Sequence, residues 1–228
     1  MASGREDQRL RQAYDQPQVA QHYAQTRWQK GVQARRTHRK EWAIVQSFLK
    51  RIGPLQRVLD IPCGAGRFQP LLAAGTSRLA GGDLSAAMLH QAAGSGFDFL
   101  FQGSAQAVPV ADGAVDLVFS FRLYHHFPES PSRLGMLQEF ARCSRRWAIL
   151  SYFEDRNLQA WRHRLLGRKR ARFPISRRQF ESECKQSGWQ VARRRFVARG
   201  ISEQVVVLLE KAGSPNSKTD GLELPVSG

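Results

Sequence analysis

Apolar residues along this chain follow two rhythms. From Gln33 to Ile52 they recur at Trp42, Val45, Leu49 and Ile52, with Ile44 and Phe48 widening the stripe. Arg35, Arg36, Arg39 and Lys40 fall on the opposite face. That period is helical, and Gly53-Pro54 ends it. Shorter runs follow. Val58, Leu59 and Ile61, bounded by turn signals, read as a buried parallel strand. Further strands are expected over 78–82 ending in Asp83, 97–102 (FDFLFQ), 114–121 (AVDLVFSF) and 146–152 (RWAILSY). Helical patterns separate them. One contains Phe68, Leu71 and Leu72. Another is capped by Ser85, with Leu84 and Leu89 placed as a hydrophobic staple. A third opens at Ser130-Pro131, with Pro at its first position and Leu134, Leu137, Phe140 and Ala141 as its buried face. Ser176 to Gln179 is a capping box, flanked by Ile175 and Phe180, for a helix ending near Gly188. Trp189–Ala198 and Ser202–Glu210 read as a hairpin about Arg199-Gly200. Strands alternating with helices predict an α/β domain with a mostly parallel sheet.

The ends differ from the middle. Residues 1–16 are polar and charged, expected to be ill-ordered or weakly helical, and the tail from Ala212 is expected to be disordered. The division is therefore an N-terminal segment over 1–32, one domain over 33–211 and a tail over 212–228. A chain of 228 residues suits one domain with short additions. No run of 18 apolar residues predicts a membrane span, and the start lacks the apolar stretch of a secretory signal. Cys63, Cys143 and Cys184, at unrelated spacings, fit reduced thiols and neither a disulfide framework nor a zinc site. A cytoplasmic protein without a metal centre is expected. The charge is less ordinary: 35 Lys and Arg against 19 Asp and Glu give +16. That excess suits an anionic partner, or equally an arginine-rich solvated surface.

Candidate chemistry centres on Arg57–Phe68, RVLDIPCGAGRF. The run ends in Asp60 and breaks into Pro62-Cys63-Gly64-Ala65-Gly66. Two glycines let the backbone pass close to a ligand, and the following helix is expected to aim its positive end there. The spacing is not GxGxxG, which disfavours a dinucleotide. These residues resemble the first motif of the class I S-adenosylmethionine (SAM) dependent methyltransferases, with Pro62 where many members have glycine. Asp83, one strand on, and the Asp116 strand fall at that family's spacing. The nearest group is the small-molecule and lipid-quinone (methyltransferase type 11-like) one. The resemblance covers Arg57 to Tyr152 closely and Ser176 to Glu210 in outline. It implies a Rossmann-like three-layer sandwich with a mostly parallel seven-stranded sheet and an antiparallel C-terminal hairpin strand.

It also implies site roles. Asp60, Pro62, Cys63, Gly64, Gly66 and Arg67 would surround the methionine part of SAM, releasing S-adenosylhomocysteine (SAH) as product. Asp83 and Leu84 would meet the ribose, since a carboxylate offers two acceptor oxygens to two hydroxyls. The alternative for Asp83 is charge complementarity at a helix start. Ser104, standing where an acid is commonest, and Ala105 through its N–H would edge the adenine. Phe121 and Arg122 would reach the cofactor, with Arg122, Tyr124, His125 and His126 lining the transfer site. A histidine near neutrality suits proton removal, although the pair can equally brace the loop. Tyr23, Arg27 and Trp28 match loosely a lid over the cofactor, or else dock a terminal helix. The insertion at 153–174 carries six Lys or Arg between Arg162 and Arg172, interleaved with Trp161, Leu165, Leu166 and Phe173. Such a segment can lie on an anionic membrane at its inner face, hold an anionic acceptor, track RNA or simply be solvated. Three functions follow: methylation of a small or lipid-linked acceptor, RNA methylation, or a non-catalytic SAM-fold protein at an anionic surface.

Overall fold

In the computed structural model, the described residues are 3–26, 31–155, 172–198 and 203–213. The strands are β1 (Leu55–Asp60), β2 (Thr76–Asp83), β3 (Phe99–Gln102), β4 (Val115–Ser120), β5 (Ser144–Phe153), β6 (Trp189–Phe196) and β7 (Gln204–Lys211). They form one seven-stranded sheet in the order β3-β2-β1-β4-β5-β7-β6. The first five are mutually parallel, and β7 runs antiparallel to both neighbours. The strand order reverses between β1 and β4, which opens a crevice at their carboxyl ends.

Each face of the sheet carries its own core. Val205, Val207 and Leu209 of β7 face one cluster, in which Met136, Leu137 and Phe140 of α6 (Ser130–Cys143) meet Phe180 of α7 (Arg177–Gln186). Val206 and Leu208 face the other, which includes Val45 and Phe48 of α3 (Val32–Ile52). β7 is covered on both sides, so its sequence is a continuous apolar run. The α3 stripe lies where its period places it. Burial of Val45 and Phe48 contributes roughly 1.5–3 kcal/mol each to holding the helix there.

Local signals set several boundaries. Ser85 caps α5 (Ala86–Ala92) by accepting the Met88 N–H at 3.1 Å, and Ser176 caps α7 by accepting that of Gln179 at 3.2 Å. Three expectations change. The third strand starts at Phe99: Phe97 packs on the second core, and Asp98 is drawn to β2 by accepting the Leu79 N–H at 2.7 Å. The helix after the glycine loop, α4 (Gln69–Ala73), has five residues, too few to sum into the dipole expected of it. Residues 3–14 form a regular helix, α1 (Ser3–Tyr14), followed by α2 (Pro17–Thr26). Tertiary contacts hold α1 where polarity alone would leave it frayed. Buried Glu6 accepts from the Ser132 hydroxyl at 3.2 Å, Arg9 donates to the His126 carbonyl, and Leu10 packs on the first core. Arg27 and Trp28, the side chain of Tyr23, most of the basic insertion (156–171) and the tail from 214 lie outside what the structure describes.

Candidate active site

The crevice holds a cavity of about 310 Å³, walled by the glycine loop, the ends of β2 and β4 and the turn beyond β4. Leu10 and Tyr14 of α1 also line it. The loop is pinned on both sides. Ile61 donates to the Phe119 carbonyl at 2.9 Å, and Cys63 donates to that of Gly82 at 2.8 Å. Gly64 and Gly66 have φ of 54° and 78°, values L side chains rarely adopt. A Cβ on Gly66 would lie 2.5 Å from the Ser95 hydroxyl, whereas one on Gly64 would meet no protein atom within 4 Å. Gly66 is thus required for packing, and Gly64 leaves room beside the loop.

Asp83 faces that loop. Its Oδ2 accepts the Gly64 N–H at 2.8 Å and its Oδ1 the Ser85 N–H at 2.9 Å. Each oxygen keeps a second acceptor position. Burial raises its pKa to about 6, against these backbone bonds, which pull the other way. Asp60 is buried deeper, and burial together with the nearby Asp83 raises it well above the usual carboxylate range. Burial likewise pushes the Cys63 thiol up, so it is no nucleophile at neutral pH.

Arg67 and Arg122 both line the cavity and converge on Glu41 of α3, which is 0% exposed. Arg122 Nη2 donates to Glu41 Oε1 at 2.6 Å and to Gln204 Oε1 at 2.9 Å. Arg67 donates to Glu41 Oε2, and its Nε donates to His38 Nδ1 at 3.0 Å. Burial and the Arg67 charge lower the His38 pKa. Glu41 was not among the sequence candidates. The available signal is its place on the apolar stripe, at positions 41, 45, 48 and 52, where an acid is out of pattern.

The turn Tyr124–His126 is a single 3₁₀ turn. His125 and His126 line the cavity, with His125 stacked at 4.1 Å on Phe153 and His126 edge-on to Tyr14 at 6.2 Å. Tyr124 does not join them. Its hydroxyl donates to Glu183, which also takes Arg133 Nη2 and the Ser130 hydroxyl at 2.7 Å each. Tyr124 is buried in this network, and its pKa is pushed up by burial and then by Glu183. It is an anchor, in place of the transfer-site role expected. Ser104 and Ala105 also lie off the main cavity. Ser104 hydrogen-bonds Asp7 of α1 and borders an adjoining hollow of about 520 Å³ with Leu84, Gln102 and Arg11. Pro62, Cys63, Leu84 and Phe121 line the main cavity. Among the described residues no cluster of His, Cys, Asp and Glu could hold a metal ion.

A doubly wound sheet in this order, with a glycine loop after β1 and an acid ending β2, defines the class I SAM-dependent methyltransferase fold. Residues 59–151 match the family described as "Methyltransferase domain". A tRNA (carboxymethyluridine(34)-5-O)-methyltransferase of Schizosaccharomyces pombe is 29% identical over 138 residues, 60% of this chain and 53% of that protein. The chain thus spans about half the length of this relative. Crystalline magnesium protoporphyrin IX methyltransferase from Synechocystis PCC 6803, bound to SAH, superposes with a TM-score of 0.74. The identity is 15%, and 90% of this chain and 99% of that one are covered. A SAM-dependent methyltransferase from Thermotoga maritima gives 0.57 at 16% identity, over 77% and 91% of the two chains.

Proposed function

We propose that the protein is a SAM-dependent methyltransferase acting on a compact acceptor, a small molecule or the head of a lipid-linked one, that carries negative charge. The single observation behind the acceptor class is the roof. α1 crosses the crevice and leaves a cavity of about 310 Å³, at the small end of the roughly 300–1,000 Å³ typical of small-ligand sites.

The residues present suit the cofactor. Asp83 keeps an acceptor position on each oxygen for a ribose diol, Gly64 leaves space for the methionine part, and Arg67, held by Glu41 and His38, brings positive charge to the wall of the same cavity. When bound, SAM supplies a methyl group already activated by its sulfonium, so the hard chemistry is the cofactor's. The chain's task is then to hold the acceptor in line and exclude water, which can be worth about 7–11 kcal/mol. Leu10, Tyr14 and Phe121 give the cavity an apolar lining. His126, the more accessible of the two histidines, takes a proton from the acceptor where one must leave. Arg35, Arg36, Arg39 and Lys40, all exposed on α3, would hold the protein at an anionic surface from the cytoplasmic side.

A second reading, methylation of tRNA, is favoured by the fission yeast relative and by the net charge of +16. Calorimetry with SAM and SAH tests the cofactor, and no binding of either would reject both readings. Incubation with methyl-labelled SAM and cell extract, followed by partition into lipid, small-molecule and RNA fractions, tests the acceptor. Label is expected in the first two fractions, and label confined to RNA would replace the first reading by the second.

A further inference from the structure

Glu41 sits wholly buried between two cations from different parts of the fold: Arg67 from the glycine loop and Arg122 from the end of β4. Both of its oxygens are used, Oε2 by Arg67 and Oε1 by Nε and Nη2 of Arg122, the last two at 3.2 and 2.6 Å. Arg122 is held against its own preference. Its φ is 62°, in the left-handed region, and its N–H donates to the Ser151 hydroxyl at 2.8 Å. A backbone kept in that conformation beside a cavity indicates that the direction of this side chain matters.

The charges matter as well. Two guanidinium groups and one carboxylate leave one positive charge at the cavity wall. SAM carries an ammonium, a carboxylate and a sulfonium, +1 in sum, while SAH sums to zero. Without Glu41 the sulfonium would enter beside both guanidinium groups with this carboxylate's charge gone. Asp83 is already engaged by the Gly64 and Ser85 N–H groups, and burial favours the protonated form of Asp60. We propose that Glu41 is a positioning and specificity-determining residue: it aims both arginines and supplies the negative charge that admits the sulfonium cofactor as readily as its neutral thioether product. The inference rests on the SAM reading above.

The test compares the affinities of SAM and SAH by calorimetry in the full chain. Glu41→Gln keeps the shape and removes the charge. It should weaken SAM about tenfold more than SAH, the factor expected for a unit charge lost at roughly 10 Å in an effective dielectric near 20. Arg122→Gln should move the ratio the opposite way by a similar factor. The double variant Glu41→Gln/Arg122→Gln, which removes one charge of each sign, should return the ratio to within about twofold of wild type. A purely structural Glu41 would weaken both ligands alike, leaving the ratio at its wild-type value in Glu41→Gln and at its Arg122→Gln value in the double variant, which would overturn the inference. The arginine variant and the double variant decide it even if Glu41→Gln alone fails to fold. Failure of wild type to bind either ligand would instead remove the SAM reading itself, and the inference with it.

Discussion

SAM affinity should follow the ionisation of Asp83. Only the carboxylate can accept from two ribose hydroxyls while also accepting the Gly64 and Ser85 N–H groups. With a pKa of about 6 in the free protein, the binding-competent fraction falls from nearly all at pH 7.5 to about a tenth at pH 5. The dissociation constant for SAM should therefore rise about tenfold over that interval. Stability moves the other way. The folded value lies above the ordinary one by about two units, so Asp83 favours the fold by roughly 3 kcal/mol below pH 4. That contribution is lost as pH rises through 6. Acid should thus weaken binding while this residue resists unfolding. In Asp83→Asn the amide accepts one backbone N–H and opposes the other, and charge-assisted bonds worth about 1.5–3 kcal/mol are lost. SAM should bind roughly 10- to 150-fold more weakly at pH 7.5, with no pH slope left. Asp60→Asn is the control: Asp60 is held protonated by burial, and its removal should leave the slope in place. Calorimetric titrations from pH 5 to 8 give both quantities. A flat profile in wild type, or the wild-type slope surviving in Asp83→Asn, would refute the assignment.

Three further outcomes follow from side-chain placement. Gly66→Ala forces a residue into φ of 78° with its Cβ 2.5 Å from the Ser95 hydroxyl. It should cost about 1–3 kcal/mol and abolish SAM binding, whereas Gly94→Ala, with no atom within 4 Å, should bind normally. Tyr124→Phe removes the donor to Glu183 and should lower stability by about 1–3 kcal/mol in denaturant melts while leaving SAM affinity and turnover intact. A turnover loss beyond about threefold, with stability unchanged, would restore Tyr124 to the reacting groups. Replacing His125 and His126 together by Ala should lower kcat by roughly 10²–10⁴ with SAM affinity unchanged. Normal turnover in that variant would exclude a histidine base.

What could be seen in the sequence was what the chain specifies locally. Strand and helix rhythm, the Ser85 and Ser176 caps and the glycine positions depend on neighbours a few residues away, and the structure has them where the pattern puts them. Departures occur where a distant partner decides. α1 is held through Glu6 to Ser132 and Arg9 to His126, more than a hundred residues apart, and its Asp7 takes Ser104 away from the cavity. Glu41 meets partners 26 and 81 residues on, so its burial could be read only as a break in an apolar stripe. The turn at Tyr124–His126 shows the limit most sharply. A 3₁₀ turn has three residues per turn, so successive side chains point about 120° apart and all three cannot face one wall. Which one turns inward is settled by Glu183, 59 residues downstream, which is held by Arg133 and accepts the Tyr124 hydroxyl. Tyrosine alone of the three carries a hydroxyl long enough to reach that carboxylate from the turn. Anchoring it there is what leaves both histidines on the cavity side.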